Sequence, residues 1–256
     1  MSINPLFRDH INFRDLGGYA SRDGRKVKYG LLYRSGGIYL MNQEELNTLS
    51  SLGIHSIMDL RTSEESKVSP DPIIPGISAV RHSGVTFRGG EEIDFSPVGM
   101  SKIGKEGHEQ LALLQTYYSE IPFDNQALRV FMDKLSSGHV PMVFHCHTGK
   151  DRTGVFAMVV LLALGVDDEI VLQDFLLSND YHREAIQEAL EESRDRISNH
   201  PELEELIRMR TGVTEKIGRS VLYEIHSRYP SIDDYLKNEF QMSDNQIVEF
   251  RNKFLE

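Results

Sequence analysis

The residues best suited to chemistry are consecutive: His145-Cys146-His147-Thr148-Gly149-Lys150-Asp151-Arg152-Thr153-Gly154. Cys146 is the chain's single cysteine and stands six positions before Arg152. Apolar runs flank the segment, Val140 to Phe144 before it and Val155 to Leu164 after it, and together they read as buried strand, tight loop and helix. In such a turn the loop N–H groups converge at the positive end of the helix and form an anion-binding nest. A thiol at the start of that nest, facing the amides and Arg152, is driven toward thiolate. The same nest fits the three non-bridging oxygens of a phosphate monoester, two of them within the planar fork of Arg152. The chemistry expected is attack of Cys146 on phosphorus, a cysteinyl-phosphate, and release of phosphate by water, with amides and Arg152 meeting the charge. His147, Thr148, Gly149, Lys150 and Thr153 complete the cradle. The Thr153 hydroxyl steadies the departing thiolate, and His145 orients the loop by hydrogen bonding. Gly149 and Gly154 allow the sharp backbone path.

Competing readings of these residues are weaker. A nucleotide-binding Walker loop needs Ser or Thr after Gly-Lys, and here Asp151 follows Gly149-Lys150. A sulfurtransferase Cys loop does not typically take the His-Cys-x5-Arg-Thr-Gly form. The pair His145-x-His147 has no carboxylate or second Cys at ligand spacing, so no metal and no other cofactor is expected.

The elements that must position this loop alternate between strand and helix. Residues 11–39 suggest short strands and turns, with alternation in Lys26–Tyr29 and Gly30–Arg34. Asn42 with Glu45 forms a capping pair that opens a helix ending near Gly53. His55–Leu60 is a strand with a polar end. The stretch 69–107 is loop-rich, with one more strand around Ile77–His82. Helices follow at Leu111–Tyr118 and Ala127–Leu135, then a buried strand at Val140–His145 and a helix at Thr153–Leu164. From Asp167 on the pattern is helical, broken at Asn199-His200-Pro201, Thr211-Gly212 and Tyr229-Pro230. This order predicts an α/β fold with a central, mainly parallel sheet flanked by helices.

Composition narrows the function classes. The chain has 256 residues, 39% of them hydrophobic and 26% charged, enough for a substantial core without disulfides. With one Cys no internal disulfide can form, which favours a reducing compartment. A net charge of −11 argues against nucleic-acid binding, while a locally positive site can still take an anionic substrate. Met1–Pro5 carries no signal-like pattern, and the longest apolar run is about half of the roughly 20 residues a membrane span needs. The expectation is a cytoplasmic protein without membrane insertion, or one exported by a route lacking such a signal.

The Cys loop resembles the signature of cysteine-dependent tyrosine phosphatases, and more narrowly the bacterial family typified by mycobacterial tyrosine phosphatase B. Asn12-Phe13-Arg14-Asp15-Leu16-Gly17-Gly18-Tyr19, Gly30-Leu31-Leu32-Tyr33-Arg34-Ser35, Asp59-Leu60-Arg61-Thr62-x-x-Glu65 and Tyr229-x-Ser231-x-x-x-Tyr235-Leu236 are similar to that family as well. The resemblance covers about residues 10 to 250. It implies a single phosphotyrosine-phosphatase-like domain over 1–256, with a helical lid at about 178–228 and further C-terminal helices. It also implies activity on phosphotyrosyl proteins, in some members on phosphoserine or phosphothreonine, and on phosphoinositides. Departure of the leaving oxygen needs a proton donor. The Trp-Pro-Asp loop of many tyrosine phosphatases is absent, because the chain has no Trp. The resemblance implies Asp151 as the acid. Asp59 is a second candidate that could instead hold Arg61 or Arg152, and Asp71 in Ser69-Pro70-Asp71-Pro72 reads more simply as a turn. Lys150 reads as a substrate anchor or as a solvated surface lysine. Arg14 and Asp15 read as bracing the site from the first strand–turn unit, as an internal ion pair under the Gly17-Gly18 turn rather than by contact with substrate. Leu203, Leu206, Ile207 and Met209 could form the lid's apolar underside or ordinary core. Two further readings stay open: an inositol-polyphosphate or phosphoinositide phosphatase, and a non-catalytic phosphate-binding module.

Overall fold

A computed structural model describes residues 6–84 and 108–256; part of the expected loop-rich stretch, 85–107, lies outside the described residues. Among the described residues five strands form one sheet: β1 Arg14–Asp15, β2 Leu32–Ser35, β3 Ser56–Asp59, β4 Ser78–Arg81 and β5 Met142–His145. Their order is β1-β2-β5-β3-β4. All neighbours run parallel except β1, which pairs antiparallel with β2.

Why β5 reads as an unbroken apolar run follows from its central place. Successive side chains of a strand point to opposite faces, and a mainly parallel sheet is covered on both. Met142 and Phe144 join Leu32 and Met58 in one cluster, whose centre is the helix α5, Arg152–Ala163. Val143 joins Tyr33 and Ile57 in a second cluster on the other face, with Phe13, Ile38 and Leu49. Every residue of α5 is buried. The second face is closed by α1, Gln43–Ser51, started by the expected reciprocal cap of Asn42 and Glu45.

A short helix absent from the sequence expectation, α2 at Ser63–Val68, follows β3 and opens on another reciprocal cap, Thr62 with Glu65. On the first face lie α3 His108–Glu120 and α4 Gln126–Ser136, followed after α5 by α6 Asp168–Tyr181. Next come α7 Arg183–Glu192, α8 Arg194–Asn199 and α9 Glu202–Thr211. The C-terminal part is α10 Glu215–Arg228, α11 Ile232–Phe240 and α12 Asp244–Phe254. Helix α10 packs against α3 and α6, and α9 against α7. Among the described residues no helix is long and apolar enough to cross a membrane.

The alternation at Lys26–Tyr29 does not become a strand. Gly24 and Gly30 turn the chain at either end with positive φ, and only isolated bridges form, Ala20 to Lys26 and Val27 to Leu255. Those pairings clamp the C-terminus instead, Lys28 N–H donating to Phe254 O at 2.8 Å.

Candidate active site

Ser35, Asp59 and His145 are register neighbours at the carboxyl ends of β2, β3 and β5, the edge where open α/β sheets place their sites. The Cys loop leaves β5 at this edge and enters α5 at Arg152. Its carbonyls are tied outward. Gly37 N–H donates to His147 O at 2.8 Å, Asn12 Nδ2 to Thr148 O at 3.2 Å, and Arg34 Nη2 to Gly149 O at 2.8 Å. In a trans peptide the N–H points opposite to the carbonyl. Holding these three carbonyls outward therefore turns the amides of Thr148, Gly149 and Lys150 toward the inside of the loop. Gly149 makes this possible with φ +72°, and a Cβ there would lie 2.5 Å from Ser35 O.

Cys146 is buried. Burial by itself would push the thiol up, yet the nearby Arg152 guanidinium and the hydroxyl and amide of Thr153 outweigh it, and the thiol lies below its ordinary value. Arg152 is aligned by Glu65 from α2: Nη1 donates to Oε2 at 2.6 Å and Nη2 to Oε1 at 2.7 Å. A planar fork gripped on two nitrogens cannot rotate. Glu65 also accepts Thr62 N–H at 2.8 Å, so the helix cap and the arginine clamp are one carboxylate. Burial would raise this carboxyl, but Arg152 and the Thr62 contacts hold it at about 2. The role of Glu65 escaped the sequence reading, although Thr62-x-x-Glu65 carries the same capping signature as Asn42-x-x-Glu45.

Asp151 is buried in the loop, and burial, reinforced by Glu65 and only partly opposed by Arg152, pushes its carboxyl up to about 8. Burial thus favours its protonated form, the state a proton donor requires. Its Oδ1 accepts from Lys150 Nζ at 2.7 Å and from the Tyr118 hydroxyl of α3. Lys150 is not a solvated surface lysine. Its ammonium is buried and also donates to Met209 O of α9 at 3.0 Å, so a helix of the expected lid region reaches the loop. Burial lowers Lys150 to about 7. Leu206 and Met209 of that helix are buried, Leu203 packs on the core, and Ile207 is half-buried.

Asp59 grips Arg61 with both oxygens, Nε to Oδ1 at 2.9 Å and Nη2 to Oδ2 at 3.0 Å. Asp71 is more than a turn residue. It accepts Tyr39 N–H at 2.9 Å and Arg61 Nη2 at 2.6 Å, and lies 3.2 Å from His145 Nε2. Asp59, Asp71 and His145 are close enough to suggest a metal triad, but the Arg61 guanidinium sits on both carboxylates. The two loop imidazoles diverge: His145 Nδ1 lies 3.1 Å from Cys146 O, and His147 Nδ1 lies 2.6 Å from the Tyr39 hydroxyl.

The expected Arg14–Asp15 ion pair is absent. Adjacent strand residues point to opposite faces. Asp15 instead accepts Gly17 N–H and Gly30 N–H, at 2.8 Å and 2.7 Å, while Arg14 reaches Asp174 of α6 at 2.9 Å.

The model of the tyrosine phosphatase family matches residues 6–256, and the chain belongs to that family. It is accordingly a hydrolase. A protein of Cupriavidus necator described as a tyrosine-protein phosphatase is 29% identical over 246 residues, 95% of this chain and 85% of that protein. The triple specificity protein phosphatase PtpB of Mycobacterium tuberculosis is 28% identical over 189 residues, 66% of this chain and 67% of the relative. The core catalytic domain of the PP-IP phosphatase SIW14 from S. cerevisiae aligns with a TM-score of 0.36 at 17% identity, covering 69% of this chain and 78% of that structure.

Proposed function

We propose that this enzyme hydrolyses phosphate monoesters through a cysteinyl-phosphate on Cys146, with phosphotyrosyl proteins as substrates and phosphoserine, phosphothreonine and phosphoinositides within its range. The observation that carries the reading is the buried Cys146 thiol, held below its ordinary value by Arg152 and Thr153 at the mouth of an inward-facing amide loop. The thiolate sulfur attacks phosphorus and the ester P–O bond breaks. Asp151 gives its proton to the departing oxygen. In the second half, Asp151 as carboxylate takes a proton from the attacking water, the S–P bond breaks, and Thr153 steadies the thiolate that leaves. Arg152, its plane set by Glu65, and the loop amides meet the phosphoryl charge throughout. Asp59 acts at one remove in this scheme, by fixing Arg61.

The wider substrate range is supported by the relative named a triple specificity protein phosphatase. Lys150 serves a phosphoinositide headgroup in this reading only when α9 withdraws, since its ammonium is engaged with Met209 O.

Replacement of Cys146 tests the mechanism. Cys146→Ser is expected to release no phosphate from p-nitrophenyl phosphate while still binding orthovanadate; full turnover by the variant in the presence of EDTA refutes a cysteinyl-phosphate. A panel of phosphotyrosyl peptide, phosphoinositide and phytate on the native protein ranks the substrates. Phytate preferred over all others would make inositol polyphosphates the main class, and absence of any turnover would leave a phosphate-binding module.

A further inference from the structure

Two segments that resemble the family, Asn12–Tyr19 and Gly30–Ser35, meet behind the Cys loop. Arg14 and Arg34 occupy facing register positions on β1 and β2, and both converge on Asp174 of α6. Arg14 Nε donates to Asp174 Oδ1 at 2.9 Å, Arg34 Nη1 donates to Oδ2 at 2.5 Å, and the Tyr19 hydroxyl donates to Oδ1 at 2.9 Å. Arg34, Arg14 and Asp174 are all buried. Burial would raise the Asp174 carboxyl, but the two arginines hold it at about 2. Burial and Arg14 bring Arg34 down to about 10, so it stays charged at neutral pH. The cluster holds two positive charges and one negative. A buried charge left uncompensated by its neighbours is costly and calls for a reason.

Both arginines are wired to loop carbonyls. Arg34 Nη2 donates directly to Gly149 O at 2.8 Å. Arg14 Nη1 donates to Asn12 Oδ1 at 2.5 Å, and Asn12 Nδ2 passes the contact to Thr148 O at 3.2 Å. His182 Nε2 also meets Thr148 O at 3.1 Å, but burial, with Lys150 next, lowers this imidazole to about 4 and it adds no charge at neutral pH. A donor on a carbonyl polarises the peptide and makes the N–H on its far side a stronger donor. Those N–H groups, of Gly149 and Lys150, are the ones turned into the loop.

We propose that Arg34 and Arg14, paired on a shared Asp174, are positioning residues of the phosphate site: they aim its amides and leave one buried positive charge for the bound phosphoryl dianion to balance. The idea rests on the loop being the phosphate site. Neither arginine touches substrate in this scheme; both act through the peptides of residues 148–150 and through the cluster's net charge.

Three full-length variants test it: Arg34→Gln, Arg34→Lys and Asn12→Ala. Each is compared with the native protein in three ways: the pH dependence of iodoacetamide inactivation, the inhibition constant for inorganic phosphate, and a thermal melt confirming the fold. Removing one unit charge near the site is expected to weaken phosphate binding on the order of tenfold and raise the thiol pKa. Arg34→Gln should show both changes. Arg34→Lys should restore the thiol pKa while binding phosphate more weakly than the native protein, because it keeps the charge and loses the fork. Asn12→Ala, which keeps every charge, should weaken phosphate binding severalfold and leave the thiol nearly unchanged. The proposal is overturned if folded Arg34→Gln keeps native phosphate affinity and thiol pKa, or if Lys at 34 restores nothing. Should the position 34 variants not fold, native phosphate affinity in Asn12→Ala overturns it. An ordinary thiol in the native protein would instead sink the cysteinyl-phosphate reading, so the two failures are distinct.

Discussion

Substituting Glu65 by Gln leaves the side chain's shape almost intact and removes one charge from the Arg152 clamp. Two short bonds are at stake, 2.6 Å and 2.7 Å, between side chains 1% and 5% exposed. The carboxyl is held at about 2 against an ordinary 4.5, which corresponds to roughly 3 kcal/mol of native-state stability at neutral pH. Breaking a buried ion pair by removing one partner costs about 3–5 kcal/mol, so two independent routes give the same size. The sign with pH is fixed as well. A carboxyl that titrates lower when folded stabilises the native state above its unfolded pKa, and that contribution fades as pH falls toward about 2. Equilibrium urea denaturation should therefore place Glu65→Gln about 3 kcal/mol below the native protein at pH 7, with the gap narrowing steadily below about pH 4.5. Freed from its clamp, the Arg152 fork can swing, and misplacement by about 1 Å costs on the order of a hundredfold in rate, so kcat/KM on p-nitrophenyl phosphate should fall by about that much. Glu65 also pushes the Cys146 thiol up, so the variant's thiol should titrate lower even as activity drops. A variant with native stability and native kcat/KM would refute the clamp.

Asp151→Asn should lose about 10²–10⁴ in rate on an alkyl phosphate but much less on p-nitrophenyl phosphate, whose leaving group needs little protonation. The native enzyme's rate should decline as pH rises through about 8, where Asp151 gives up its proton, and a pH profile of the Asn variant should lack that decline. Gly149→Ala should abolish phosphate binding, because φ +72° and a 2.5 Å approach to Ser35 O leave no room for a Cβ; isothermal titration with phosphate checks this, and native affinity would contradict the loop geometry. Thr153→Ala should raise the thiol pKa read by iodoacetamide and let the phosphoenzyme accumulate in rapid-quench experiments, since its hydroxyl lowers the thiol.

Much of the fold and the centre of the site were legible in residue order. Strand, loop and helix around Cys146 are local, so the apolar runs flanking the segment located them, and the Asn42–Glu45 cap marked a helix start by contacts within four residues. What could not be read were the partners. Arg14 and Asp15 looked like a pair because they are adjacent, but the alternation of strand side chains separates neighbours and hands Arg14 to Asp174, 160 positions away. Asp71 looked like a turn because Ser69-Pro70-Asp71-Pro72 describes only its backbone, while its carboxylate links Tyr39, Arg61 and His145. Lys150 read as a substrate anchor or a solvated lysine because spacing shows only its place beside the loop; its ammonium is buried and donates to Met209 O of a distant helix.

The amino-acid order by itself determined which thiol heads the loop, which arginine follows it six positions on, and that the loop joins a buried strand to a buried helix, because all of these depend on covalent spacing and local periodicity. Tertiary structure decided what makes those groups work. Glu65 aligns the arginine, burial pushes the Asp151 carboxyl up, and Arg34 and Asn12 hold the carbonyls of Gly149 and Thr148. Orientation and ionisation depend on what stands across a few ångströms of low-dielectric space, and no spacing along the chain records that.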